Sequence, residues 1–222
     1  MKSSKKTLIA LAICTPFLLA CAEQAVSAYE PVDGSEAAES DAAMETTHTV
    51  TADIGPDSPF AEGAPAPSRE PDVIYVPTPE PVVDAMLNLA GVKEGDVLYD
   101  LGSGDGRIPI AAAQRFGVRG VGIDINPVRV REANANAETA GVTELVTFKE
   151  ADLFEEDISE ATVVTLYLLQ SLNVKLRPKL LAELKPGTRI VSHAFDMADQ
   201  WAPEQTQEVD GSRIYMWTVP ER

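Results

Sequence analysis

The stretch Val97–Ala113, VLYDLGSGDGRIPIAAA, constrains the fold more than any other part of the chain. Val97, Leu98, Tyr99 and Leu101 have the composition of a short strand buried on both faces, with Asp100 interrupting the run. Gly102, Gly104 and Gly106 follow at GxGxG spacing, and Ile108, Ile110 and Ala111 to Ala113 begin a helix. Strand, glycine loop and helix in that order form the context of a loop that receives a nucleotide-type ligand. Without Cβ atoms the loop turns sharply and lets a ligand approach the main chain. The first N–H groups of the next helix favour a carboxylate or phosphate. Asp100 ends its strand on the side where open α/β sheets bind ligands, so its carboxylate can accept a hydrogen bond from an ammonium or hydroxyl group. A dinucleotide site reads GxGxxG, with no acid just before the first glycine. A tight turn without a ligand accounts for the glycines but not for the acid, strand and helix around them.

The segments on either side repeat the strand–helix alternation. Before the loop, Val73 to Pro79 is an apolar run ended by prolines. Thr78 is the expected N-cap and Pro79 the first residue of a helix with Val82, Val83, Met86, Leu87 and Ala90 on one face, closed by Gly91. After it, the helix begun at Ile108 runs to about Phe116, and Arg119–Ile123 forms a second strand ending at Asp124. That acid lies about twenty residues beyond the glycine loop, where a carboxylate holds ribose hydroxyls; N-cap work at a strand end is the competing role. Asn126-Pro127 opens a helix over Val128–Ala140, and Leu145–Lys149 is a third strand followed by Asp152. Ala161–Leu169 is a fourth, central strand, Asn173–Leu184 a helix, and Thr188–Ser192 a fifth strand followed by His193. Glu204–Val209 and Arg213–Val219, around Asp210-Gly211, read as a closing hairpin. The pattern predicts a doubly wound, Rossmann-like α/β sheet with a C-terminal antiparallel hairpin.

Three segments divide the 222 residues. Residues 1–21 read as an export signal, with Lys2, Lys5 and Lys6 ahead of an apolar run too short for an ordinary membrane span. Leu18-Leu19-Ala20-Cys21 resembles the lipobox of bacterial lipoproteins, which implies a lipidated Cys21 and anchorage to the cell envelope. Cleavage after Val26-Ser27-Ala28, giving a periplasmic or secreted protein, is the alternative. Residues 22–72 carry twelve acids and one base with five prolines between Pro56 and Pro71, a composition unable to bury enough apolar area to offset ordering entropy. They read as an acidic tether, and His48 within them as a solvated bystander. Residues 73–222 hold 23 acids and 14 bases. That surplus argues against nucleic acid as the partner and suits a small molecule, a basic peptide or a protein. Both cysteines, Cys14 and Cys21, fall in the first segment, so neither a disulfide framework nor a His/Cys metal site is expected in the rest.

The run D-L-G-S-G-D-G resembles motif I of the class I S-adenosylmethionine (SAM) dependent methyltransferases. The runs Tyr75-Val76-Pro77-Thr78-Pro79, YDLGSGDGRI, GVGIDINP, VVTLYLL and LRPKLLAELKPGTRIVSH are similar to a bacterial group of small methyltransferases related to the lysine methyltransferases of the ATP synthase c subunit. The resemblance covers about Asp72 to Pro220. It implies a seven-strand methyltransferase sheet, SAM as cofactor, and a protein amine as acceptor. It implies that Asp100 serves the amino-acid part of SAM and that Gly102, Ser103, Gly104, Asp105 and Gly106 line the ligand. Asp124 would hold the ribose hydroxyls, Asp152 the adenine amino group and Leu153 the adenine ring, with Ile125 also at the cofactor. Tyr75, Tyr167, Gln170, His193 and Asp196 are the candidates around the methyl group. Where methyltransferases acting on amides and adenine carry an N-P-P-Y type motif, this chain reads Tyr167-Leu168-Leu169-Gln170, which counts against those acceptors. The bacterial relatives are expected to carry a proline near Gln170 and an acid near Ala194, and this chain does not. A non-catalytic lipoprotein that keeps the fold as an interaction module is the competing reading.

Overall fold

The computed structural model describes residues 70–222. The segment read as an export signal, with Cys21, and the one read as a tether, up to residue 69, lie outside the described residues. Five parallel strands, β1 (Val97–Leu101), β2 (Arg119–Asp124), β3 (Val146–Glu150), β4 (Val163–Leu166) and β5 (Arg189–His193), join an antiparallel pair, β6 (Gln205–Val209) and β7 (Ser212–Thr218). The sheet order is β3-β2-β1-β4-β5-β7-β6. The chain moves outward from β1 to β3 and then returns to β4 on the other side of β1. This reversal leaves a crevice at the carboxyl ends of β1 and β4, where doubly wound sheets bind ligands.

Helices α1 (Glu80–Leu89), α2 (Arg107–Phe116) and α3 (Pro127–Ala140) cover one face, and α4 (Gln170–Glu183) the other. Val82, Val83, Met86 and Leu87 recur at helical spacing and bury against Leu98, Val163 and Val191. On the opposite face Leu176, Leu180 and Leu184 pack with Trp217 over Leu166 and Ile190. No helix joins β3 to β4; Ile158, fully buried, plugs the sheet there. Among the described residues no helix is long and apolar enough to cross a membrane.

Several boundaries differ from those expected, most by a single residue, and three have a visible cause. Helix α1 starts at Glu80, and the Pro79 carbonyl accepts from the Val82 and Val83 N–H groups at 3.0 Å. Thr78 makes no cap, because its hydroxyl is 3.3 Å from His193 Nδ1. Strand β4 keeps only Val163–Leu166 of the apolar run Ala161–Leu169. Thr162, just before the strand, donates its hydroxyl to Asp96 while its backbone still bonds Val97 and Arg189, and the chain beyond Leu166 turns into the crevice. Helix α4 begins at Gln170, three residues before Asn173, because the Leu169 carbonyl accepts from Leu172 and Asn173 N–H. The buried Asn173 amide then donates to Ser192 Oγ and the Phe195 carbonyl.

Candidate active site

The glycine loop is folded back onto β2. Gly102 and Ser103 N–H both donate to the Ile123 carbonyl, at 2.8 and 3.0 Å, and Gly104 N–H donates to Asp124 Oδ2 at 2.8 Å. The other Asp124 oxygen accepts from Asn126 N–H at 2.9 Å, so this carboxylate ties the loop to the start of α3. Asn126 itself caps α3, accepting from Val128 N–H. Gly102 and Gly104 adopt φ of +87° and +53°. A Cβ on Gly104 would overlap the Tyr75 ring, and one on Gly106 would meet Phe148 and Ala133. Gly104 therefore admits a close approach from the segment preceding α1, whereas Gly106 admits the packing of β3 and α3.

Asp100 is buried and accepts from the Thr165 hydroxyl at 2.7 Å. Burial, with help from the nearby Asp124 and Asp105 carboxylates, pushes it up to about 7 against the Thr165 bond. Burial also raises Asp124, opposed by the N–H groups of Asn126 and Gly104. Burial alone would raise Asp105 too, but the Arg107 guanidinium at 2.5 Å holds it below the usual carboxylate range.

The segment 71–78 lies over this floor as a strap. Its Tyr75 rests on Gly104, donates its phenol to Asp105, and carries the Arg129 guanidinium 4.6 Å from its ring centroid. Burial and the Asp105 charge raise the Tyr75 phenol. Arg107 fastens the strap again, donating to the Thr78 carbonyl at 2.9 Å. Arg129 is almost fully buried, on the face of α3 that carries Ala133 and Ala137; that spacing places it inward, but nothing in the sequence pairs it with Tyr75.

Strap, loop and strand ends enclose a cavity of about 480 Å³. Asp100, Gly102, Ser103, Asp105, Asp124, Ile125, Asp152 and Leu153 line it, together with Tyr75 and Tyr167. Gly104, Gly106, His193 and Asp196 are not among the lining residues. His193 is buried behind Tyr167, ring centroids 3.9 Å apart, and burial lowers its pKa, so at neutral pH it is an uncharged spacer between Tyr167 and Thr78. Asp196 accepts from Gln170 Nε2 at 2.5 Å and from Ala198 N–H, which fixes the turn after β5. Asp152 accepts from Phe154 N–H at 2.9 Å and so shapes the loop that presents Leu153. Thr78, Arg107, Leu168 and Leu172 also line the cavity, and no sequence pattern singles them out for a place in it.

The family model of the ANTKMT methyltransferase domain matches residues 100–205. A protein-lysine N-methyltransferase of Saccharolobus islandicus (strain REY15A) is 51% identical over 159 residues, covering 69% of this chain and 98% of its own length. The adenine nucleotide translocase lysine N-methyltransferase of Mus musculus is 34% identical over 66% of this chain. This chain spans only 63% of that enzyme's length, and 52% of the Mus musculus lysine N-methyltransferase that acts on the ATP synthase c subunit. The crystal structure of an RNA methyltransferase from Salinibacter ruber in complex with S-adenosyl-L-homocysteine (SAH) superposes with a TM-score of 0.65 at 62% identity, covering 66% of this chain and 95% of that one. With a seven-strand sheet in this order, a glycine loop at its switch point and near-full-length coverage of two methyltransferases, the chain belongs to the class I SAM-dependent methyltransferase family.

Proposed function

We propose that this protein is a SAM-dependent protein-lysine N-methyltransferase. The observation that supports it most is the cavity itself: the buried Asp100 of β1 and the half-buried Asp124 ending β2, beside a loop whose glycines take positive φ. The residues present fit SAM. Ser103 Oγ is buried on the cavity wall with no hydrogen-bond partner among the described residues, as expected of a group completed by a ligand. Asp100 suits an ammonium, Asp124 a pair of hydroxyls through its remaining lone pairs, and Ile125, Leu153, Leu168 and Leu172 an aromatic ring.

Bound SAM supplies an electrophilic methyl on a sulfonium, open to in-line displacement by a neutral amine. The chain supplies position and charge. Asp100, the glycine loop and Asp124, which is hydrogen-bonded to Gly104, form one continuous wall of the cavity, and Asp152 also lines it. The strap, pinned at Tyr75 and Thr78, excludes water from above. Tyr167 is the wall residue placed to receive an acceptor amine, and His193 and Thr78 hold its ring in place. An incoming lysine arrives as the ammonium that the wall carboxylates attract and sheds its proton before attack; the proton passes through the Tyr167 hydroxyl to solvent.

The Salinibacter ruber resemblance favours a second reading, methyl transfer to RNA. The 23 acids against 14 bases in residues 73–222, and five carboxylates on the cavity wall, oppose it, because RNA affinity rests on cations facing phosphates. Incubating the full chain with methyl-labelled SAM, a lysine-rich protein and total RNA decides between them. N-methyl-lysine in the protein hydrolysate is the expected result. Label in RNA alone refutes the lysine assignment.

Residues 1–21 complete the proposal as a lipoprotein signal, supported by Lys2, Lys5, Lys6 and the Leu-Leu-Ala-Cys run ending at Cys21. On this reading a labelled fatty acid enters the protein and Cys21→Ser prevents it; label persisting in Cys21→Ser refutes lipidation at that residue.

A further inference from the structure

Among the described residues, the large apolar side chains that stand exposed gather at one place. Ile74 is 86%, Val76 50%, Leu169 46% and Tyr75 40% accessible. Ile74, Tyr75 and Val76 line the cavity on the strap side, and Leu169 sits between the wall residues Leu168 and Leu172 on the opposite side. The strap cannot roll over to hide them. Tyr75 is held to Gly104, Asp105 and Arg129, and the Thr78 carbonyl to Arg107, so Ile74 and Val76 stay exposed at the mouth of the cavity on a fixed segment. Concentrated apolar exposure of this kind marks an interaction site.

Charge narrows what can sit there. Asp72 lies on the same strap two residues from Ile74 and faces the cavity with Asp152, while Asp196 joins Gln170 beside Leu169. The wall carries five carboxylates, Asp72, Asp100, Asp105, Asp124 and Asp152, against two guanidinium groups, Arg107 and Arg129. An apolar rim around an acidic mouth complements a segment that is itself apolar and carries one cation, and it repels an anionic membrane surface. The rim is continuous with the cavity, so its occupant enters beside the methyl group.

We propose that Ile74, Val76 and Leu169 form a docking rim for a segment of the acceptor protein whose target lysine has apolar neighbours. The inference rests on the lysine reading for the identity of the cation, and on the exposure pattern for the rest. Recognition is then divided: the rim reads the flanking residues and the acids of the mouth read the amine.

The test uses the full chain at saturating SAH and two fluorescent peptides, one with its lysine between leucines and valines, one with its lysine between serines and glycines. Each is bound to the wild type, Ile74→Ser and Leu169→Ser, with SAH affinity measured for every variant. Should Ile74→Ser impair SAH binding, Leu169→Ser decides, since Leu169 is not among the wall residues. The apolar-flanked peptide is expected to bind at least about tenfold more tightly, and each variant to lose most of that preference. Equal binding of the two peptides overturns the docking rim. So does an unchanged preference in Leu169→Ser, whether the variant instead loses affinity for phosphatidylglycerol vesicles or changes oligomeric state. Methyl transfer to the same peptides is read separately. Preferential binding without transfer keeps the rim and removes the lysine reading; transfer blind to the flanks does the reverse.

Discussion

Asp100 shows how a single buried group couples stability to ligand binding. Its folded-state pKa of about 7 lies above the roughly 3.9 of an unfolded aspartate, so the free protein loses this residue's contribution as pH rises from about 4 to about 7. Asp100→Asn keeps the acceptor for Thr165 and cannot ionise. The variant is expected to gain thermal stability over the wild type at pH 8 and not at pH 4, while binding SAM more weakly. For the wild type, SAM affinity should fall as pH drops below about 7, approaching tenfold per unit, because protonation removes the partner of the ammonium. Melting curves at pH 4 and pH 8 check the first sign and calorimetry at pH 6 and pH 8 the second; an affinity flat across the latter range contradicts the assignment. Gly104 is the second sensitive residue. Gly104→Ala adds a Cβ that overlaps Tyr75 at a φ of +53° and is expected to cost about 1–3 kcal/mol in urea unfolding. The same change displaces the strap and weakens SAH binding.

At the scale of elements, the strap is the part that holds or releases as a unit. Arg129→Met removes the cation over Tyr75 while keeping the bulk of the side chain. It should leave the melting of the sheet nearly intact and speed proteolysis at residues 71–78; unchanged cleavage there contradicts the clasp. The strap also shows where sequence reading stops. Val97–Leu101, the glycine loop and the Asp124 strand end were legible, because a buried strand and a left-handed loop leave few residue choices. The five-strand alternation and the closing hairpin were legible for the same reason. The clasp was not, since Arg129 pairs with a tyrosine more than fifty positions away; its spacing from Ala133 and Ala137 puts it on the buried face of α3 but does not name that partner. Nor were the ends of β4: apolarity continues through Leu169, but there it serves the cavity wall and rim rather than the ladder. His193 looked available at a strand end, and only the packing of Tyr167 and Thr78 shows that it is enclosed.

For the whole molecule, a switch-point cavity with acidic walls lies in a domain with 23 acids and 14 bases, a combination that draws in cations. A lysine-bearing acceptor should therefore bind more weakly as salt rises, through a slower on-rate. Every step of the chemistry depends on what the cavity holds. The most direct measurement is calorimetric titration of the full chain with SAH and SAM, alongside Asp124→Asn. Stoichiometric binding on the order of micromolar or tighter is predicted, weakened in the variant. A folded protein that takes up neither molecule, or binds both equally well without the Asp124 carboxylate, would contradict the assignment of this cavity to SAM.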